Sequence, residues 1–468
     1  MKIFETILKT KKSVRAYVVG GWLRDYFLKR ENRDLDIAVS ANPSAIAKKT
    51  ANILNGSFIA LDEDNKIYRV MLKGDKQVDQ LDFSLLKGKD INADLKKRDF
   101  TVNAMALEIT KNTDIKNTLD IMGSKKDIEK KLIRLVSASA YEEDPLRMLR
   151  AIRLAGELGF KIDKGALERI KRKHSLLRKV SAERVRDEVF KMLATEDSAT
   201  LIGILENTGL AEIIFPCITK MKFSAKKFYF HPKGLWQHSF MTLSSLDEIY
   251  SRLSSIFPNE AVDLRSHLAE TLSAGISRKN ILKFAALFHD SAKPFCAKKI
   301  RGKMRFLGHE TKGSSLTKDI LRSLKAGNDE IKITQQLIEN HMRPISLGQA
   351  RVFTDRAFYR LYRDLGANTP DLALLSLADC YSYRGLKNNK TVELKRMEEI
   401  SKEIIQRYFA EVNKPKQEKL VDGHMIMKKF KLKPGPKIGK ILKLVHEAAY
   451  IGKIKNKNDA FKFIAKSL

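Results

Sequence analysis

The run Val18-Val19-Gly20-Gly21-Trp22-Leu23-Arg24-Asp25, followed by Asp34-Leu35-Asp36, constrains this chain more than any other part of it. A short apolar strand leads into a glycine pair that opens a helix. Two carboxylates then sit two apart beside the apolar stretch Leu35-Asp36-Ile37-Ala38-Val39. Residues i and i+2 of a strand point to the same side, so Asp34 and Asp36 can share one metal-binding face. Carboxylate oxygens suit Mg²⁺, which completes its shell with substrate phosphates. Gly20 and Gly21 let backbone N–H groups approach a triphosphate at a helix N-terminus. A phosphate cradle beside paired carboxylates points to two-metal nucleotidyl transfer. An Asp-x-Asp alone is common in loops; the apolar flank and the preceding glycines argue against that origin here.

Lys and Arg number 89 against 56 Asp and Glu, a formal net charge of +33. Such an excess suits a polyanionic partner, most simply nucleic acid, although a Lys-rich surface alone would also produce it. Cys217, Cys296 and Cys380 lie too far apart in sequence to suggest a disulfide framework, which fits a reducing cytoplasm. The start, Met1-Lys2-Ile3-Phe4-Glu5, lacks a signal-peptide core, and no run of about 18 apolar residues suggests a membrane span.

Strands are expected at 15–19, 35–39, 68–72 and 78–83, with a helix from Ala45 to Leu54 after Asn42-Pro43-Ser44. From Asp144 onward the pattern is almost entirely helical. A third carboxylate should come from a neighbouring strand. Asp79 and Asp82 are three apart and face opposite sides, so only one can join Asp34 and Asp36. Arg98 can bind a phosphate or sugar oxygen, and Asp99 or Asn103 can accept from ribose hydroxyls; a structural ion pair and a cap would use the same residue types. Asp144 and Arg147 are expected on one face of a helix, with Arg150 and Arg153 continuing it. Asp can accept from the N4 amino group of cytosine, and Arg can donate to N3 and O2, so such a face can read a base edge. An N-cap aspartate with an i,i+3 ion pair would account for that motif equally well.

Together these pieces resemble a class II tRNA nucleotidyltransferase (CCA-adding) and bacterial poly(A) polymerase. The matching motifs run in family order over residues 17 to about 190: Gly20-Gly21-x-x-Arg24-Asp25, Asp34-x-Asp36, Arg98-Asp99-Phe100-Thr101-x-Asn103-Ala104, Asp120-x-x-Gly123-x-x-x-Asp127-Ile128, Glu143-Asp144-x-x-Arg147 and Glu183-Arg184-x-x-x-Glu188. The resemblance implies Asp34, Asp36 and Asp82 as holders of Mg²⁺, with Asp82 chosen because the family's later Arg falls on Lys87. It implies Gly20, Gly21, Arg24, Arg98, Asp99 and Asn103 around the nucleotide. It implies Asp144 and Arg147 as an amino-acid template for CTP and ATP, flanked by Arg150 and Arg153. Residues 120–134 are implied to form a hinge, and 183–188 to brace the template helix. Only Phe83 to Ala93 separate Asp82 from Asp94, where many complete CCA-adding members carry a longer loop. The resemblance therefore leaves CCA, CC-only and A-only addition open.

His238, His289-Asp290, His309, His341 and Asp379 are spread through the helical half. Such ligands suit Mn, Fe, Ni, Zn or Mg, leaving the metal's identity open. The pattern resembles the HD-domain phosphohydrolase signature over roughly 226–385, with His309 and His341 as extra ligands for a second metal. Lys293 is a candidate phosphate contact. In the tail, Pro434-Gly435-Pro436 opens a helix where backbone N–H groups with Lys437 and Lys440 could bind an RNA phosphate; a capped surface helix would look the same.

The expected fold class is α+β: an α/β head (1–137), then a helical neck (138–225), an HD-like helical body (226–385) and a helical tail (386–468). The expected partners are tRNA, CTP and ATP, with no membrane; the sequence leaves oligomeric state open. The lead function is template-independent addition of CCA, CC or A to tRNA. Poly(A) synthesis, a mainly HD-type phosphohydrolase with a vestigial head, and a pure RNA-binding protein are the competing readings.

Overall fold

The apolar runs of the first hundred residues become one six-stranded sheet in a computed structural model that describes residues 2–74, 78–224, 233–349, 352–384, 391–414 and 420–468. Its strands are β1 (Ala16–Val19), β2 (Asp34–Val39), β3 (Ser57–Asp62), β4 (Ile67–Met71), β5 (Gln80–Leu85) and β6 (Ala106–Glu108), in the order β3-β4-β5-β2-β1-β6. Only β2 and β5 pair in parallel; their register sets Asp36 opposite Asp82. All four residues of β1 are buried, and Leu35, Ile37 and Val39 of β2 face the core, which leaves Asp34 and Asp36 on the other face. Around the sheet lie α1 (Lys2–Lys11), α2 (Gly21–Phe27), α3 (Pro43–Leu54) and α4 (Ile91–Leu95).

The four expected strands form within two residues of their expected ends. Two more do not follow from pattern. Strand β3 is a sheet edge with mostly exposed side chains, including Ile59 and Leu61, so it lacks the alternation that marks a half-buried strand. Strand β6 has only three residues.

Next come α5 (Ser124–Glu129), β7 (Leu132–Ile133), α6 (Ala140–Glu143), α7 (Arg147–Leu158), β8 (Lys161–Ile162), α8 (Lys164–Lys173) and α9 (Ala182–Ala194). Strand β8 interrupts a region expected to be almost entirely helical, pairing in parallel with β7 of the expected head. Helix α7 buries Met148, Ala151, Ile152 and Ala155, the i, i+3, i+4, i+7 stripe of an amphipathic helix, and packs on α9.

The chain divides into two compact units, 1–195 with 203–214, and 196–202 with 215–468. The expected head and most of the expected neck thus share the first unit, and the expected body and tail share the second. The boundaries expected at 225/226 and 385/386 lie outside the described residues.

In the second unit, α11 (Arg278–Phe288) is apolar nearly all round, with every residue from Asn280 to Phe288 buried. Such a helix must be surrounded. It packs against α10 (Leu235–Ser251), α14 (Asn328–Asn340) and α15 (Thr369–Tyr381). A short helix α12 (Lys293–Cys296) leads to a β9–β10 hairpin (Lys298–Ile300 and Lys303–Arg305), which a purely helical reading missed, and then to α13 (His309–Ser323). The tail helices α16 (Gly423–Phe430), α17 (Pro436–Tyr450) and α18 (Lys457–Ser467) bury Ile426, Ile438, Ile441, Val445 and Ile464 among themselves. Among the described residues no helix is long and apolar enough to cross a membrane.

Candidate functional site

Two polar clusters stand out, one in each unit. The first lines a cleft of about 450 Å³ bordered by Asp36, Asp82, Lys87, Lys97, Arg98, Asp99, Asp144, Arg147, Arg150 and Arg184. Its floor is the β2–β5 parallel pair. Register puts the Asp36 and Asp82 carboxylates side by side, and Asp34 shares their face two residues earlier. Asp79 precedes β5, is half exposed and pairs with Arg33 at 3.2 Å, so it stays out of the cluster. Burial, then the Asp82 charge, pushes the Asp36 carboxyl up to about 6; the same two causes raise Asp34.

Gly20 turns the chain over these carboxylates at φ +78°, a conformation that favours glycine. A Cβ there would lie 2.8 Å from Oδ2 of Asp36, so only glycine leaves the space open. Clustered carboxylates beneath a side-chain-free turn fit a divalent cation, whose charge relieves their repulsion.

One contact was not expected from sequence. Arg69 on β4 lies opposite Asp82 in register and donates two hydrogen bonds to it, at 2.8 and 2.7 Å. Its only sequence signal was a lone charge inside an apolar strand.

The wall of the cleft is a relay of charged hydrogen bonds. Arg24 donates to both oxygens of Asp25 and, at 2.8 Å, to Asn103 Oδ1. Asn103 donates to Asp99, and Asp99 accepts two bonds from Arg150 at 3.0 and 2.6 Å. Burial acts against the Asp99 charge, yet Arg150 and the other donors hold its pKa below the usual carboxylate range. Arg98 is fixed by Asp94.

These contacts change part of the expected picture. The Arg24 guanidinium is mostly buried and bonded to Asp25 and Asn103. Arg153 is buried away from the cleft, bonded to Glu188 and Glu157 at 2.6 Å each. The reason is helical periodicity: three residues per step falls short of the 3.6 of a turn, so the stripe drifts off the cleft by the third arginine.

Asp144 and Arg147 both reach the cleft, but not from one helix. Asp144 has an extended backbone (φ −145°, ψ 100°) between α6 and α7, and its Oδ1 accepts from the Leu146 N–H. Nor do the two side chains pair with each other. Arg184 donates to Asp144 at 2.8 Å, while Arg147 donates to the Lys97 carbonyl at 2.8 Å and pairs with Glu143 at 3.2 Å. The alternative of a simple i,i+3 ion pair is therefore not what forms. Residues 120–134 hold themselves together: Asp120 caps α5 by accepting from the Ser124 and Lys125 N–H groups, and Asp127 accepts from Thr101 and Arg134.

The second cluster is built on α10, α11, α13, α14 and α15. Nε2 of His238 lies 3.2 Å from His289 Nε2, from Asp290 Oδ2 and from Asp379 Oδ1. On the other side of Asp290, Oδ1 is 3.4 Å from His309 Nε2 and 3.5 Å from His341 Nε2. Asp290 thus bridges two groups of potential ligands, all buried. The opposite ring nitrogens are all anchored. Nδ1 of His289, His309 and His341 meets the carbonyls of Ala286, Phe306 and Ile338 at 2.9, 2.8 and 2.7 Å, and Nδ1 of His238 meets Ser382 Oγ at 3.0 Å. A carbonyl can only accept, so those three rings carry their proton on Nδ1 when neutral and aim a bare Nε2 at the centre. Asp290 Oδ1 and Asp379 Oδ1 lack a well-formed hydrogen bond. Converging buried acceptors, two of them without a hydrogen-bond donor, fit a divalent metal pair. Lys293 sits on Asp290 Oδ2 at 2.5 Å, so its charge is directed at the bridging carboxylate first.

Burial opposes the charged form of His238, but the Asp290 and Asp379 carboxylates beside its Nε2 dominate and hold its pKa at about 8. The other expected contacts, Lys437 and Lys440, are exposed on the first turns of α17, whose Ile438 and Ile441 face the tail core.

Comparison with known proteins finds matches in both units. Residues 16–134 match the family described as poly A polymerase head domain, residues 159–222 the one described as "Probable RNA and SrmB- binding site of polymerase A", and residues 307–464 a tRNA nucleotidyltransferase domain 2. An A-adding tRNA nucleotidyltransferase of Deinococcus radiodurans is 28% identical over 462 residues, 96% of this chain and 94% of the relative. A CC-adding tRNA nucleotidyltransferase of Thermus thermophilus is 28% identical over 456 residues, 96% and 93% of the two chains. In fold, the chain resembles a CCA-adding enzyme solved with CTP (TM-score 0.65, 18% identity, 100% of this chain and 94% of that one) and the Thermotoga maritima CCA-adding enzyme solved with tRNA (TM-score 0.61, 18%, 100% and 95%). With head, RNA-binding and nucleotidyltransferase segments in order along one chain, the protein belongs to the tRNA nucleotidyltransferase and poly(A) polymerase family and is a nucleotidyltransferase.

Proposed function

We propose that the chain adds nucleotides from CTP, ATP or both to the 3′ end of tRNA, without a nucleic-acid template. The observation that carries this reading is the parallel register of Asp36 with Asp82 under the Gly20 turn, in one cleft with Asp144 and Arg147. Asp34, Asp36 and Asp82 would hold Mg²⁺. When bound, the metal lowers the pKa of the attacking hydroxyl and neutralises charge on the α-phosphate. The 3′-oxygen bonds to the α-phosphorus, the bond to pyrophosphate breaks, and the hydroxyl proton passes to water. Arg98 and Lys87 border the cleft where polyphosphate charge must lie. Asp144 accepts from a base amino group and Arg147 donates to ring acceptors, so the protein face reads the base. Poly(A) synthesis is the less favoured alternative, because the near-full-length relatives above are A-adding or CC-adding tRNA nucleotidyltransferases.

The test is single-nucleotide extension of tRNAs ending at the discriminator base, in C-C or in C-C-A, with CTP and ATP supplied separately and together. Extension of the bare end to C-C-A assigns complete CCA addition. A stop at C-C assigns CC addition, and use of the C-C end alone assigns A addition. Long A tails move the activity to poly(A) synthesis, and no extension with Mg²⁺ overturns the reading.

A second reading rests on the four histidines that converge on Asp290. That cluster supports an HD-type, metal-dependent phosphohydrolase in the second unit. His238, His289, Asp290, His309, His341 and Asp379 would hold a metal pair, which would supply an activated water. The water oxygen bonds to phosphorus, one ester P–O bond breaks, and the departing oxygen takes a proton. Hydrolysis of a phosphodiester that appears with added Mn²⁺ and disappears in His289→Ala is the expected result.

A further inference from the structure

The β9–β10 hairpin is an arrangement that folding alone disfavours. From Ser291 to His309 the chain has no acidic residue, and Lys298, Lys299, Arg301, Lys303 and Arg305 are all exposed. None of the five has an ion-pair partner among the described residues. The register sets Lys298 directly opposite Arg305, and like charges facing across a strand pair repel. At the tip, Arg301 adopts φ +48° beside Gly302 at +75°, where Asn or Gly would be cheaper. Two uncompensated costs on one small element indicate that the charge itself serves a purpose.

The hairpin is tied to the Asp290 cluster at both ends. On the entering side Lys293 contacts Asp290, and its Nζ lies 5.8 Å from the centre of the Phe306 ring. On the leaving side, the Phe306 carbonyl anchors both the backbone N–H and the Nδ1 of His309. The two strands therefore spring from the residues that orient the bridging carboxylate and one of its histidines.

We infer that the Lys298–Arg305 hairpin is an RNA-binding arm that presents a polynucleotide end to the Asp290 site, making the substrate class of that site RNA termini in preference to free nucleotides. This rests on the phosphohydrolase reading of the cluster. Phosphates are the polyanion that a row of unpaired Lys and Arg on a short, projecting ribbon fits, because each contact releases counterions and needs no base sequence.

The experiment uses the full chain with Mn²⁺ and its variant with all five cations changed to Gln. The probes are a single-stranded oligoribonucleotide of about 12 nucleotides, carrying a photoreactive base near its phosphorylated 3′ end, and the small diester bis(4-nitrophenyl) phosphate. The cross-link is expected within 298–305. The variant should hydrolyse the RNA end at least about tenfold more slowly at moderate salt, with an unchanged rate on the small diester and an unchanged melting temperature. Equal rates on RNA, or a cross-link that maps only elsewhere, overturn the arm. A cross-link on the hairpin with neither probe hydrolysed by the wild type overturns the phosphohydrolase reading and the end-presenting role, and leaves an RNA-binding ribbon.

Discussion

Asp36 and His238 show how one side chain's surroundings set its chemistry. Burial and the adjacent Asp82 hold Asp36 at about 6, above its ordinary value. An acid raised by folding binds its proton more tightly folded than unfolded, so metal-free stability falls as pH rises from about 4 to 6. Asp36→Asn should therefore stabilise the metal-free protein at pH 7 by about 1–2 kcal/mol, seen as a higher Tm, while lowering nucleotide addition at least about a hundredfold. Mg²⁺ should raise the Tm of the wild type but not that of the variant. His238 is also raised, to about 8, but it is a base. Its stabilising ion pairs are complete below about 6.5 and lost as pH rises through 8. A histidine ligates only when neutral, so Mn²⁺ binding to the second unit, followed by calorimetry, should strengthen from pH 7 to 9. Asp144→Ala should relax discrimination between CTP and ATP in a competition assay, and Arg184→Ala should alter it through Asp144 without touching the base.

The elements carry these side chains with unequal redundancy. Helix α7 is tied to α9 through Arg153–Glu188 and to the head through Arg150–Asp99. Glu188→Ala leaves a buried guanidinium with only Glu157 and should cost about 3 kcal/mol, measured by urea denaturation. Glu188→Gln, which keeps an acceptor, should cost less. Strands β1, β2, β4 and β5 were legible because their residues are buried in runs or alternate. Strand β3 was not, because an exposed edge carries no such pattern, and the β9–β10 hairpin was hidden because most of its side chains are charged. The buried helix α11 was legible as an apolar run ending in His289-Asp290.

For the molecule as a whole, each unit holds its own cluster of acidic or metal-binding groups, and the two clusters can be removed separately. Asp36→Ala should abolish nucleotide addition and spare phosphodiester hydrolysis; His289→Ala should do the reverse. Loss of both activities in either variant would overturn their assignment to separate sites. The charge of +33 suits a chain whose proposed partner at both sites is RNA.

Local pattern was enough to mark the Gly20–Gly21 turn, Asp34 with Asp36, and the His289-Asp290 helix, because strand alternation, positive-φ glycine and apolar helix runs are all written within a few residues. Tertiary structure alone decided what lies across from them. Strand pairing chose the neighbours Asp36, Asp82 and Arg69 from segments tens of residues apart. Helix packing brought His238, His309, His341 and Asp379 around Asp290. It also turned Arg153 onto Glu188, away from the cleft that Arg147 and Arg150 line, since a guanidinium goes to whichever carboxylate the fold buries beside it.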